Sequence, residues 1–169
     1  METSTAADEA NKQLDRVLGF FPRVDSKASA LFAMNTGTLA IAALNFRPSD
    51  FAAWYLALPA ALGLALTIAS IFYVYKTMFP DLAGGHGSLI YFRQIAANTE
   101  ANYIQRFKDR NDGEHLNDLL GQVWRNSEIL KLKFDAVKLA FNLLVLSLMS
   151  WTIFLVASSV MRSAVPTLG

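Results

Sequence analysis

The stretch LAFNLLVLSLMSWTIFLVASSVM, residues 139–161, carries no charged side chain and decides the fold. A helix that rises 1.5 Å per residue needs about 20 such residues to cross a hydrocarbon core of roughly 30 Å. Residues 51–75 form a second run without charges, and residues 28–46 form a third. A charged residue bounds each run on both sides. The sequence therefore predicts three transmembrane helices.

The run at residues 28–46 is the most polar of the three, because it contains two asparagines and two threonines that oppose insertion into lipid. A buried helix of a bundle is the alternative, although pairing with the second run favours a true span. Residues 47–50, with the sequence RPSD, are a short connection that predicts an antiparallel hairpin. Along residues 51–75, Ala57, Ala61, Ala65 and Ala69 recur every four residues. Such a row predicts a close helix contact, within the chain or between chains.

The composition excludes several classes of protein. Hydrophobic residues make up 53% of the 169 residues and charged residues 17%, against about 45–50% and about 25% in soluble domains. The absence of cysteine excludes thiol catalysis, iron–sulfur clusters and zinc sites built from thiolates. A net charge of +1 is too balanced to indicate nucleic-acid binding. The two histidines stand in no metal-binding or catalytic motif, so we expect no metal, no cofactor and no enzyme.

The distribution of lysine and arginine predicts the orientation in the membrane. Of the 15 such residues, only Arg47 and Arg162 fall on one side of the predicted spans. The other thirteen lie in the N-terminal arm and between residues 76 and 138. By the positive-inside rule, the N-terminus and the middle segment should be cytoplasmic, with the tail outside. The N-terminus opens polar and acidic, unlike a cleavable signal peptide. An inner-membrane protein is predicted.

The expected fold is all-α, with three transmembrane helices and a small cytoplasmic helical layer. We expect an N-terminal amphipathic helix at 1–26, a transmembrane hairpin at 27–77, a cytoplasmic region at 78–136, a third span at 137–162 and a tail at 163–169. The N-terminal stripe of Leu14, Val17, Leu18 and Phe21 ends near Pro22. This helix would lie on the membrane or join the cytoplasmic bundle.

In the cytoplasmic region, Ser88 is expected to cap a helix that reaches Ala97. Thr99 is expected to cap another helix, with Tyr103, Ile104 and Phe107 facing inward. Residues 111–113, with the sequence NDG, indicate a turn. From there one helix should continue from about Glu114 to Met161, roughly 70 Å in length. Its buried stripe is expected at Leu116, Leu120, Val123, Ser127, Leu130 and Phe134.

Two features carry candidate chemistry. The glycine-rich residues 84–88 leave backbone N–H groups free for a phosphate, or they form only a flexible joint. Asp25 and Lys27 stand where the chain enters the first span, at a depth where charges need partners. They would bridge to Arg125, Lys131 or Lys133 on the long helix, or they would line a crevice that admits water or a ligand.

Three segments together resemble the Pycsar effector transmembrane family. They are RVDSKASAL at residues 23–31, SLIYF at 88–92 and NSEILKLK at 126–133, in the order in which the family has them. The resemblance spans residues from about 14 to 155. Arg93 departs from the small residue expected after Tyr-Phe, and the first span is unusually polar.

The resemblance implies a bacterial antiphage effector. A partner cyclase would make cyclic CMP or cyclic UMP on infection, and the bound nucleotide would activate the effector to compromise the inner membrane. On chemical grounds, Ser88 and Arg93 would contact the phosphate, Tyr91 the base or ribose, and Asn126 the base edge. Asp25, Lys27 and Lys133 would couple that site to the membrane.

Three helices in one chain cannot enclose an aqueous path, so a homo-oligomer is expected if the output is a pore. The alternative is a small integral-membrane enzyme, or a transporter or scaffold subunit, without any role in nucleotide signalling.

Overall fold

The computed structural model describes residues 2–79, 85 and 87–164. The glycine-rich loop at Gly84 and His86, and the tail from residue 165, lie outside the described residues. The described residues are mostly helical and include no strand; the α-helices are α1 Glu2–Leu18, α2 Phe21–Asn45, α3 Trp54–Met78, α4 Phe92–Ala96, α5 Glu100–Asp109 and α6 Asp112–Ala164.

Three helical segments are long and apolar enough to cross a membrane, at residues 5–45, 54–78 and 112–163. The predicted all-α fold, with a long and continuous last helix, is thereby confirmed. α6 begins at Asp112, because Asn111 caps it: the backbone N–H of Glu114 donates to Asn111 Oδ1 at 2.8 Å. In return, Asn111 N–H donates to the Glu114 carboxylate at 3.3 Å. The predicted turn at residues 111–113 is therefore the start of the helix.

Two predicted boundaries are wrong. The first helix ends at Leu18 rather than near Pro22, and Gly19 N–H closes it by donating to Asp15 O at 2.8 Å. Pro22 lies in the first turn of α2, where its missing N–H leaves no helical bond unmade. The hairpin connection is longer than four residues, because Pro48–Ala52 forms a 3₁₀ turn and α3 starts only at Trp54.

The chain divides into two compact units. The helical unit comprises Met1–Val24 and Pro80–Lys133, and the span unit comprises Asp25–Phe79 and Phe134–Gly169. Both α2 and α6 contribute residues to each unit.

In the span unit, α3 buries mainly small and polar residues and exposes large apolar ones. The buried face of α3 consists of Leu56, Ala60, Gly63, Thr67, Ser70, Val74 and Thr77. On its other faces, Leu58, Leu62, Ile68 and Phe72 are each more than half exposed. A soluble bundle buries its large apolar side chains, whereas this arrangement suits helices surrounded by lipid.

A polar seam links α2, α3 and α6 inside the span unit; it consists of the buried residues Asn35, Thr67, Ser70, Ser147 and Ser150. Asn35 Nδ2 donates to Ser70 Oγ at 3.0 Å. Ser70 Oγ donates in turn to Ala140 O at 2.8 Å, so a single hydroxyl joins three helices. In a membrane these groups find no water, and each must be satisfied within the protein.

Trp151 packs against the middle of the seam. Its Nε1–H donates to Thr67 Oγ1 at 3.2 Å, and the Thr67 and Ser147 hydroxyls bond to each other. The ring lies directly on Gly63, where an added Cβ would come within 3.0 Å of it. A larger residue at position 63 would therefore push α3 and α6 apart.

The alanine row does not form the interface within the chain. Ala61 and Ala65 are exposed and Ala57 and Ala69 are half-buried, because the contact with α6 uses the neighbouring row through Gly63 and Ser70. The prediction allowed the alanine row to contact a helix of the same chain or of another chain, and the first alternative is thus wrong. The row remains available to a second chain or to lipid.

At the far end of the span unit, Arg162 ties α6 to the hairpin connection. Its Nη2 donates to Asn45 O at 2.6 Å and lies 3.2 Å from Asp50 Oδ2. Asp50 also accepts from Arg47 N–H at 2.9 Å and is largely buried. Asp50 therefore accepts from the side chain of Arg162 and from the backbone of Arg47.

In the helical unit, α1 packs on the first turns of α6 through a core of Ala10, Leu14 and Leu119. Of the two alternatives for α1, this packing agrees with a place in a helical bundle, and contact with a membrane surface stays untested. Leu18, expected in its buried stripe, is 43% exposed because the helix ends there.

The buried stripe at the start of α6 is offset from the predicted one. Leu120 and Ser127 are exposed, and the buried positions are Leu119, Gln122, Ile129 and Lys133. The sequence pattern was misleading because two polar residues, Gln122 and Lys133, occupy buried positions.

The short helices are only partly as predicted. Thr99 caps α5, accepting from Asn102 N–H at 3.4 Å, which confirms that cap. Ile104 and Phe107 are exposed, contrary to expectation, while the Tyr103 hydroxyl donates to Leu89 O at 3.4 Å. Ser88 does not cap a helix directly, since α4 begins only at Phe92.

Glycine is required at position 85. Its φ is +68°, and an added Cβ would lie 2.7 Å from Cδ1 of the Tyr91 ring. Gly87 has a similar φ of +78° but open space around it.

We expect Ser70→Ala to lower the free energy of unfolding by about 0.6–1.7 kcal/mol, the range for hydrogen bonds between membrane helices. Unfolding of the detergent-solubilised protein in dodecyl sulfate, followed by circular dichroism, measures the loss. Thr36→Val is the matched control, because Thr36 is exposed and its hydroxyl bonds only Phe32 O of its own helix. Equal losses in both variants would contradict a role of the seam in holding the helices together.

We expect Gly85→Ala to destabilise the helical unit by more than Gly87→Ala does. Both variants carry the left-handed backbone penalty of roughly 1–2 kcal/mol, and only the first also collides with Tyr91. Thermal unfolding of the two variants gives the comparison. Equal midpoints would show that the Tyr91 contact is not tight.

Candidate ligand-binding site

The helical unit contains an open cavity of about 820 Å³. Its walls come from α5, from the first part of α6, and from Gly85 and residues 87–89. Pockets that bind small molecules have volumes of roughly 300–1,000 Å³. The cavity is therefore large enough for a ligand of metabolite size.

Three arginines line the cavity, and their surroundings differ. Arg106 donates to Gly87 O at 3.2 Å and to Asn98 Oδ1 at 3.3 Å, so it braces the wall. Arg125 forms an ion pair with Glu128 at 3.4 Å. Arg110 lies over the Phe107 ring at 4.5 Å, and its buried Nη1 has no hydrogen-bond partner among the described residues. Arg110 thus has the most donor capacity left for an anion.

Acidic and amide side chains complete the polar lining. Asp118 Oδ2 accepts from Leu89 N–H at 2.9 Å, and Glu114 belongs to the α6 cap. Asp109 and Asn117 line the cavity as well. The three arginines are balanced by the three carboxylates, so the site offers both donors and acceptors rather than a uniformly positive surface.

Trp124 supplies a large aromatic surface at the cavity. It is 63% exposed, although it is among the largest apolar side chains of the unit. Exposed tryptophan faces are suited to stacking on planar rings, including nucleobases.

Ser88 is the one predicted ligand-binding residue in the wall of the large cavity. It is buried, and its Oγ accepts from Ile90 N–H at 3.1 Å, Tyr91 N–H at 3.0 Å and Gln122 Nε2 at 3.1 Å. Its hydroxyl oxygen therefore already organises the chain that precedes α4.

The other predicted residues lie elsewhere. Tyr91 and Asn126 line an adjoining cleft of about 10 Å³, too narrow for more than a water molecule. Arg93 stands in α4 and is not among the residues that line the large cavity. Asp25, Lys27 and Lys133 do not line it either.

Lys27 and Lys133 each lie near an aromatic ring. Lys133 is buried with its Nζ 5.4 Å from the centre of the Phe21 ring. Lys27 Nζ lies 5.6 Å from the centre of the Phe134 ring. No group of three or more potential metal-ligating side chains occurs in the described part of the chain.

Sequence reasoning missed Arg110, Trp124 and most of the α6 lining. A signal was present, since Glu114, Asn117, Asp118, Gly121, Gln122 and Arg125 recur at helical spacing along one face. A polar face of this kind is ordinarily solvated, and only the position of α5 makes it one wall of a cavity.

Comparison with known proteins identifies the family. The sequence model of the Pycsar effector protein domain matches residues 9–160. Neither the curated proteins nor the solved structures gave a match. The family match covers nearly the whole chain, and it supports a role as a membrane-located effector of antiphage defence. The chain thus belongs to the Pycsar effector family, as the three sequence segments predicted.

Proposed function

We propose that this protein is an inner-membrane effector that binds a cyclic pyrimidine mononucleotide in the large cavity of the helical unit and then disrupts the membrane. A partner cyclase would supply cyclic CMP or cyclic UMP during infection. The single observation that carries the proposal is the cavity with Arg110 and Trp124, in a chain of the Pycsar effector family.

The chemistry of the lining suits such a ligand. A cyclic mononucleotide carries one negative charge, a ribose and a planar base. The Arg110 guanidinium, which lines the cavity, would take the phosphate, and Trp124 would stack on the base. Asp109 and Asn117 would accept from the N–H groups on the edge of cytosine or uracil. Ser88 would stand at the wall of this centre, with Tyr91 and Asn126 behind it in the adjoining cleft, whereas Arg93 lies outside the cavity lining.

The helix α6 offers a physical link between ligand and membrane. It is continuous from Asp112 to Ala164 and carries both cavity residues, such as Gln122, and seam residues, such as Ser147. A ligand that favours one position of α6 would therefore act on the spans directly, with Asp25, Lys27 and Lys133 as coupling residues. A nearly complete switch needs a difference in binding of about 5.5 kcal/mol between the two states.

The membrane-disrupting step is proposed to require a homo-oligomer, because three spans per chain cannot surround water. The N-terminus and the helical unit would be cytoplasmic, where the nucleotide is made. The spans carry few ionisable groups, which favours an unselective loss of the permeability barrier over a selective channel. No catalytic step is part of the proposal.

Binding is the first test. We expect the solubilised protein to bind cyclic CMP or cyclic UMP more tightly than cyclic AMP or cyclic GMP in calorimetric titrations. Arg110→Gln and Trp124→Ala should each weaken that binding by at least tenfold, through loss of a charged hydrogen bond and of stacking.

Arg93→Gln is the matched control, since Arg93 does not line the cavity. If Arg93→Gln abolishes binding and Arg110→Gln does not, the nucleotide binds elsewhere in the protein. If none of the four nucleotides binds the folded protein, the proposed activation by a cyclic nucleotide fails, and a role as a membrane enzyme or as a transporter or scaffold subunit becomes the better proposal.

Cysteine labelling tests the membrane step separately. Because the chain contains no cysteine of its own, a thiol reagent reacts only with an introduced one. Ser147→Cys places a thiol in the buried seam, and Ile68→Cys places one on the exposed apolar face. In vesicles that leak dye on addition of nucleotide, we expect a charged, impermeant thiol reagent to label Cys at 147 only after activation. The control at 68 should stay unlabelled, because lipid excludes the reagent.

Leakage without labelling at position 147 would show that the seam stays closed and that the bilayer is distorted instead. Toxicity in cells should likewise appear only when the chain is expressed together with an active cyclase.

A further inference from the structure

We propose that the span unit holds an anionic phospholipid in a groove between α2 and α6. The groove has a volume of about 410 Å³ and is separate from the nucleotide cavity. Apart from two lysines, Lys27 and Lys138, its lining is apolar. This inference does not depend on nucleotide binding.

The two lysines stand at equivalent places in the sequence. Lys27 immediately precedes the charge-free run at residues 28–46, and Lys138 immediately precedes the run at 139–161. The structure brings both into the lining of one groove. Both lysines thus stand where an apolar helix enters the headgroup region of the membrane. The phosphodiester of a phospholipid lies at the same depth.

Apolar side chains from both helices form the rest of the groove. On α2 they continue from Lys27 to Met34, about 10 Å of helix length, and on α6 they lie on both sides of Lys138, from Phe134 to Phe141. Met34 and Phe141 are each about half exposed. This apolar length would accept the upper part of an acyl chain, so the groove matches both halves of a phospholipid.

Charge complementarity selects the headgroup. No aspartate or glutamate lines the groove in the described residues, and both lysines are exposed. Lys27 Nζ stays over the Phe134 ring at the groove, rather than turning away from it. A zwitterionic headgroup would bring an ammonium to the two lysines, whereas phosphatidylglycerol brings only the phosphate. The occupant is therefore an anionic phospholipid.

Native mass spectrometry of the full-length protein, titrated with phosphatidylglycerol or phosphatidylcholine, tests the site. The double variant Lys27→Gln/Lys138→Gln should lose about ten- to thirtyfold in affinity for phosphatidylglycerol and little for phosphatidylcholine. Lys76→Gln is the matched control: Lys76 lies at the end of α3, with its Nζ 5.1 Å from the Phe72 ring centre, and is not in the groove. An equal loss in the control would overturn the site in favour of general surface attraction.

A second variant tests the apolar half. Ala30→Trp keeps both lysines and fills the groove, so it should lower the affinity for phosphatidylglycerol as well. Full binding by Ala30→Trp would overturn the proposal, because the lipid would then not occupy the groove. Circular dichroism of each variant establishes that it is folded, and dye leakage on nucleotide addition is scored separately, so a failed lipid site is distinguishable from a failed effector function.

Discussion

The span unit depends on one constraint: a hydroxyl or amide buried between membrane helices must be satisfied by the protein itself. Ser70 meets this constraint by accepting from Asn35 on α2 and donating to Ala140 O on α6. Because lipid tails are as apolar as a leucine side chain, the hydrophobic effect does not drive membrane helices to associate. The hydrogen bonds and the close fit of Trp151 on Gly63 therefore determine which helix faces meet.

The same constraint explains the unusual polarity of α2. Asn35 would weaken insertion of an isolated helix, yet here it is fully buried and bonded to α3. One side-chain atom of the seam, Asn35 Oδ1, has no hydrogen-bond partner among the described residues. The seam lies beside an apolar cluster that includes Leu56, Trp151 and Phe154, so the span unit combines polar contacts with apolar packing.

The helical unit follows different rules, because water can satisfy its polar groups. Its apolar core around Leu14 and Leu119 is small. The cavity arises from side chains that brace the backbone, such as Arg106 on Gly87 O and Asp118 on Leu89 N–H. These bonds hold residues 87–89 in place, while Arg110 and the exposed Trp124 line the cavity. The two units thus differ in what stabilises them, while α6 contributes residues to both.

By itself, the sequence determined the number of spans, the all-α fold and the family, because uncharged length and residue order are properties of the chain alone. It could not determine helix ends such as Leu18 or Asn111, where a single capping bond decides the boundary. Nor could it identify the buried face of α6, since Gln122 and Lys133 are polar and yet buried. Only the tertiary structure brought Arg110 and Trp124 to one cavity and Lys27 and Lys138 to one groove. Each of these sites combines residues that are distant in sequence or lie on different helices, and their proximity is set by packing rather than by local pattern.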